Sequence, residues 1–402
     1  MTAATVTRGR LDVSAVSREA WAGWGGVGLG ILAWWIALPP LMIRTPVPSV
    51  VVALVAVGLG VWTIREGAKR LGWGAVVAGV IGGIGAVAAT QSGETNLERV
   101  VVWSALAAAM LRFATPLVFA ALGGVVSERA GVVNIGLEGM MLAGAFFAIY
   151  GTDLFNGWFP GLLLGMAAGG AFALLHAFFS VTLRADQIVS GFAINFLSLG
   201  ITGYIFLNHY GDEGTPDGLS QVPDVTLPID WIPFFGPALE KLNLLVWVAI
   251  LLVFLVWLFV FRTPTGLRLR SVGENPRAAA TVGISVYKTR YWAVISSGVL
   301  AAMGGAFISI GFVHSFNQNM TAGRGFIALA VVIVGKWRPG AALAAALMFG
   351  FTQALAQRLP VFSESSATLL QALPYVVTLI AVAGLVGRSV PPAADGVPYS
   401  KE

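Results

Sequence analysis

The chain has 402 residues, 57% of them hydrophobic and only 11% charged, with 50 glycines and a mean hydropathy of +0.83. Soluble domains carry about 25% charged residues, so the composition excludes an ordinary soluble enzyme. It predicts an all-α integral membrane protein, a polytopic bundle of about 10–12 transmembrane helices, some of them broken or re-entrant. The 24 Lys and Arg outnumber 19 Asp and Glu, and in a membrane chain that excess reports orientation rather than a nucleic-acid partner. The absence of cysteine excludes disulfides and thiolate metal sites.

The first 20 residues are polar and carry Arg8, Arg10 and Arg18, and apolar character begins at Trp21. That first run is long and bulky and has no small-residue cleavage pattern, so it reads as a retained span. With roughly 20 residues needed per crossing, spans fall near 22–42, 47–64, 71–90, 100–124, 134–151, 158–183, 187–207, 242–262, 289–312, 326–337, 340–357 and 367–387. The tenth is too short to cross alone unless it extends or pairs with a broken helix. Residues 208–240 form the longest outer loop, rich in Pro and Asp, with a short interfacial helix expected at Ile232–Gly236.

Charge sets the parity. With the N-terminus inside, 18 Lys and Arg fall on inner segments and five on outer ones, and Arg112 sits within the fourth span. This asymmetry places both termini in the cytoplasm. Arg112 needs a partner or a snorkelling route, and Glu138 is one candidate.

Between the fourth and fifth spans lies SERAGVVNIGLEG, Ser127–Gly139. Burying Glu128, Arg129, Asn134 and Glu138 near lipid costs several kcal/mol unless they face water or protein. Asn134 can cap a helix starting near Ile135, with Glu138 on the same side, while Gly131, Gly136, Gly139 and Gly144 permit close backbone contact. Glu128 and Arg129 fit an inner turn where they could pair with each other or with the long inner loop. Two readings stand together here, a polar packing knot and a lining of the transport path. Asn195 and Gln353 also lie in spans, either as interhelical hydrogen-bonding residues or on a substrate path.

The long inner loop, residues 262–290, contains a second feature. Asn275 is a good N-cap, Pro276 suits the first helical position, Arg277–Thr281 is Ala-rich, and Gly283 supplies a stop. A helix of about two turns is unstable alone in water. Two readings remain here as well, a basic loop that sets orientation and a docking element for a cytoplasmic partner. No lysine lies in a Gly-Lys-Ser/Thr context, so the chain carries no P-loop. His176, His209 and His314 are scattered over separate elements, which gives no metal cluster, and no nucleophile has a partnered base.

These residues carry a resemblance. GGVVSERAGVVNIGLEGMMLAGAF (Gly123–Phe146) resembles the motif of permease subunits of bacterial ABC importers, in the branched-chain amino acid and simple-sugar permease superfamily, nucleoside-type branch. VGENPRAAATVGI (Val272–Ile284), GRGFIALAVVIVGKWRPGAALAAALMFGF (Gly323–Phe351) and LPYVVTLIAVAGLVGRSVPPAA (Leu373–Ala394) follow in the family's order. The resemblance implies a translocation subunit for nucleosides, or simple sugars, in the bacterial cytoplasmic membrane. Its implied partners are a second permease, identical or homologous, a cytoplasmic ABC ATPase that binds ATP and Mg, and an extracytoplasmic substrate-binding lipoprotein. No cofactor is implied for this chain, and no catalysis.

It further implies that Gly273, Glu274, Asn275, Pro276, Arg277, Ala278, Ala279 and Gly283 form the coupling element in the ATPase groove. Ala279→Asp or Gly273→Asp is then expected to abolish uptake. The resemblance divides the chain into an extension with three spans (1–95), a permease core (96–390) and a cytoplasmic tail (391–402). The alternative is an ion-coupled secondary transporter in which Glu138 or Arg112 is the coupling site.

Overall fold

The structure is a computed structural model and describes residues 18–358, without 39, 40, 42, 44, 92–101, 230, 233 and 234, together with 389–400. The twelfth expected span, 367–387, lies outside the described residues. The chain divides into two compact units, and the second begins at Trp103.

The first unit holds α1 (Arg18–Ala37), α2 (Pro46–Arg65) and α3 (Lys69–Gln91). Its helices pack through small residues: Gly26, Gly30, Ala33, Ala53, Ala56 and Gly60 are buried, while Trp21, Trp24, Trp35 and Ile84 face outward. This is the pattern of a membrane bundle, where small side chains admit close backbones and bulky ones meet lipid.

The second unit runs through α4 (Trp103–Arg129), α5 (Leu137–Phe155), α6 (Trp158–Ala177) and α7 (Gln187–Tyr210). A hairpin of β1 (Asp224–Thr226) and β2 (Lys241–Asn243) flanks the short α8 (Phe235–Leu239), a few residues later than expected. Then follow α9 (Leu244–Arg262), α10 (Pro264–Glu274), α11 (Pro276–Thr281), α12 (Val286–Ala306), α13 (Arg324–Val334) and α14 (Pro339–Ala356). Both α6 and α12 widen at their ends into π-helical turns, Phe178–Thr182 and Phe307–Val313, which the sequence did not signal.

Among the described residues, eight helices are long and apolar enough to cross a membrane. The protein is therefore a multi-pass membrane helix bundle. Buried fraction decides which helices are central: 78% of the apolar window of Val286–Val313 is buried, against 28% for Gln187–Tyr210. A side chain at Gly144 would collide with the backbone of Ala302, which is why α5 and α12 can lie in direct contact.

The tenth span is a half-helix. α13 has 11 residues, about 16 Å of rise, roughly half the hydrocarbon thickness. It ends in a turn where Lys336 (φ 52°) and Trp337 (φ 53°) are both left-handed. Such a turn costs of order 1 kcal/mol per residue or more unless its surroundings hold it. It lies at the end of the bundle that also carries Arg129, Arg270 and Arg338, called the basic end below.

Candidate functional site

The break between α4 and α5 is a polar knot. Ser127 Oγ donates to the Val132 carbonyl at 2.7 Å. The Val133 N–H donates to Gln187 Oε1 at 2.7 Å, and the Val133 carbonyl faces His176 Nε2 at 3.2 Å. Asn195 bridges the break, its Nδ2 donating to the Ile135 carbonyl (3.0 Å) and its Oδ1 accepting the Gly139 N–H (2.7 Å). Ser198 Oγ donates to the Gly139 carbonyl at 2.6 Å. Backbone groups freed from a helix inside a membrane must find partners in the protein, and α6 and α7 supply them here. Asn195 is thus spent on backbone.

Asn134 does not cap α5. The helix starts at Leu137 with Gly136 at its N-cap, and Asn134 Nδ2 donates instead to Ser297 Oγ on α12 at 3.0 Å. Gly131 (φ +83°) turns the chain where the Arg290 guanidinium and the Ala394 carbonyl leave no room for a side chain.

Glu138 is joined to α13. Its Oε1 accepts from Thr321 Oγ1 (2.6 Å) and from the Gly323 N–H (2.8 Å), and its Oε2 accepts from the Gly325 N–H (2.5 Å). Gly323 is the left-handed N-cap of α13. The carboxylate therefore closes the N-terminus of a half-helix inside the bundle, where unpaired N–H groups and the helix dipole favour an anion. Gly325 has to lack a side chain because a Cβ there would strike the Glu138 backbone. The suggested Arg112–Glu138 pair is not formed, since Thr321 and the two N–H groups take up the carboxylate.

Arg112 instead borders a cavity of about 260 Å³, with Phe113, Phe312, Asn317 and Arg324 also on its wall. A second cavity of about 160 Å³ shares Phe113 and Arg324 and reaches Gln353. Phe113 and Phe312 meet edge to face at 5.8 Å. Arg112 lies about 25 Å along α4 from Arg129, so these cavities open well away from the basic end. Apolar aromatic walls with a few polar groups suit a small polar ligand that carries a ring.

At the basic end, Glu128 and Arg129 do not pair with each other. Both hold Trp337: its indole N–H donates to Glu128 Oε2, and Arg129 Nε donates to its carbonyl at 3.2 Å. Arg129 also lies over the Phe261 ring, 5.5 Å from its centre. These contacts fix the left-handed turn after α13.

The loop element folds as expected. Asn275 Oδ1 accepts the Ala278 N–H at 3.0 Å, Pro276 opens α11, and Gly283 (φ +82°) follows its end. Its two faces differ. Ala279 is buried against Val272, Val286 and Tyr399, whereas Arg277, Ala278, Val282 and Gly283 are exposed. Gly273 is wedged against the Arg129 backbone, and Glu274 Oε2 accepts the Ala393 N–H at 3.3 Å. Ala279→Asp and Gly273→Asp would thus disturb the chain's own packing before any outer contact, so Ala278 and Val282 are the informative positions.

Residues 389–400 run back along this end. Asp395 is half-buried; burial pushes its carboxyl from 3.8 to about 7, with the Gly396 N–H and the Arg290 guanidinium pulling the other way. The sequence reading missed Thr321, Gly325, Ser297, Arg290, Trp337 and Tyr399. Only Gly323–Gly325, beside a span too short to cross, offered a signal.

A family model described as branched-chain amino acid transport system / permease component matches residues 106–382. The guanosine ABC transporter permease protein NupQ of Bacillus subtilis is 42% identical over 76% of this chain and 99% of its own length. The nucleoside ABC transporter permease protein NupC of Lactococcus lactis is 40% identical over 74% of this chain and 96% of its own. The putative glucose ABC transporter permease protein TsgC13 of Haloferax volcanii is 37% identical over 62% and 76%, respectively. No solved structure matches. With the matched region spanning the knot, the cavities, α11 and the half-helix, the chain belongs to the permease component family of branched-chain amino acid transport systems.

Proposed function

We propose that the chain is the translocation subunit of an ATP-driven importer for nucleosides, with simple sugars as the next substrate class. It would work in the bacterial inner membrane beside a second permease, a cytoplasmic ATPase and an outer binding protein. The observation that carries this reading is α11: a capped two-turn helix whose inner face is packed on its own chain and whose outer face, Ala278 and Val282, is left open. In this reading the basic end is cytoplasmic, as are both termini. Closure of the ATPase pushes α11, and the Gly273–Arg129 backbone contact passes the displacement to the α4–α5 break.

Substrate class follows from the half-helix. An open helix N-terminus inside the bundle would favour an anionic cargo, but Glu138 already fills that position. The cavity lined by Phe113, Phe312, Asn317, Arg112 and Arg324 suits a cargo with a ring and oxygen acceptors, and the named nucleoside permeases agree. An ion-coupled transporter would need Glu138 to bind and release its ion, although three donors already occupy it.

The test is uptake of labelled guanosine by proteoliposomes holding the full complex. Uptake should require ATP and the ATPase subunit, and Val282→Asp should lower it at least tenfold without loss of the permease from the membrane. Uptake that continues without the ATPase overturns the proposal.

A further inference from the structure

The expected cytoplasmic tail, 391–402, is described as far as Ser400, and the stretch Ser389–Ser400 packs on the basic end. Ser389 Oγ donates to the Ile333 carbonyl at the end of α13 (2.9 Å). The Ala394 N–H donates to the Gly273 carbonyl (2.9 Å), where α10 leads into α11. Arg290, 1% exposed at the start of α12, gives Nη1 to the Val397 carbonyl (2.8 Å) and Nη2 to the Ala394 carbonyl (3.4 Å). Tyr399 is buried with Val272, Ala279 and Val286, beneath the inner face of α11. Its ring meets Tyr287 edge-on at 5.5 Å, and the Tyr287 hydroxyl donates to its carbonyl at 3.4 Å.

Burying a guanidinium is expensive unless its donors are used, and here both terminal nitrogens are used on tail carbonyls, while the buried Nε has no hydrogen-bond partner. A segment that only filled space would not require an arginine there. The same few residues touch the end of the half-helix, the Gly131 turn of the α4–α5 break, and both sides of the loop element.

We propose that residues 389–400 are a clasp that positions α11 and carries its displacement to the α4–α5 break and to α13, with Arg290 and Tyr399 as the positioning residues. This rests on the reading of α11 as the ATPase-coupling element. Rigid transmission needs a connected path, and the clasp supplies one from Ala279 to Tyr399, along the tail backbone to the Val397 and Ala394 carbonyls, and through Arg290 to Gly131.

The experiment measures guanosine transported per ATP hydrolysed in the reconstituted complex. Tyr399→Phe keeps the ring and the carbonyl contact and should match the native ratio. Tyr399→Ala should lower the ratio at least fivefold while ATP hydrolysis continues. Tyr399→Leu, which refills the apolar cluster but loses the ring contact, should lower it as well and keeps the test readable should the alanine variant fail to assemble. A native ratio in Tyr399→Leu, with any loss confined to the amount of complex recovered, overturns the clasp. The underlying reading fails differently: if α11 does not couple, Val282→Asp transports normally; if only the clasp is wrong, Val282→Asp is inactive and the Tyr399 variants are coupled.

Discussion

Replacing Glu138 by Gln changes one oxygen to an NH₂ group and leaves shape and volume nearly constant. Three donors converge on the native carboxylate: Thr321 Oγ1, the Gly323 N–H and the Gly325 N–H. The best orientation of the amide keeps its oxygen towards Thr321 and Gly323, and its NH₂ then faces the Gly325 N–H, donor against donor. One buried donor without an acceptor costs about 1–3 kcal/mol. Loss of negative charge at the helix N-terminus adds about 0.3–1 kcal/mol, so the total is roughly 1–4 kcal/mol. Glu138→Ala strands all three donors and should cost at least twice as much. Tryptophan fluorescence of the purified permease during heating reads the difference, with a fall of order 5 °C expected for Gln and a larger one for Ala. Uptake should fall in the same order. An unchanged melting temperature together with an altered preference among nucleosides would refute the cap and make Glu138 a substrate contact.

Other perturbations reach other parts of the molecule. Gly325→Ala places a methyl group against the Glu138 backbone and should lower stability by about 1–3 kcal/mol as an overpacked contact, seen in the same melts; a neutral result would mean the half-helix can shift away. Trp337→Phe removes the donor to Glu128 and leaves the left-handed turn less held; it should reduce uptake severalfold, and native uptake would discount the turn. Asp395 gives a pH dependence. Its carboxyl is raised to about 7 in the folded tail, so the closed tail favours the protonated form and its stability is lost as pH rises through about 7. Arg290 and Glu128 are the charged groups acting on it or responding to it. Protease cleavage within 389–400 should therefore quicken between about pH 4 and 7 and level off above that, and Asp395→Asn should flatten the profile; protection that grows with pH would reverse the sign argued here.

What could be read from sequence was local. Asn275, Pro276 and Gly283 specify their helix through groups within a few residues of one another, and the structure forms it where the spacing predicts. The shortness of span 326–337 foretold that it could not cross alone unless it extended or paired with a broken helix, because length alone decides whether a segment can cross. Partner identity was a different matter. Glu128 meets Trp337 at a separation of 209 residues, and Glu138 meets Thr321 at 183. Such pairs arise because a broken membrane helix leaves donors that only a neighbour in space can satisfy, and no local pattern names that neighbour. Asn134 shows the converse error: its capping propensity was real, but Ser297 on α12 offered a buried partner and the helix began later. The docked tail gave no hydropathy signal at all, since PPAADGVPYS is polar, only Pro392, Ala394 and Tyr399 of it are buried, and Arg290 holds it through carbonyls.

The clasp also has a consequence for biogenesis. The inner face of α11 is complete only when Tyr399 arrives, after α12, α13 and α14 have been synthesised and inserted. At roughly 5–20 residues per second, a nascent chain holds Ala279 uncovered for about ten seconds. A newly made permease would therefore complete the packing beneath α11 only after the rest of the bundle is in place, which orders folding without a separate checkpoint.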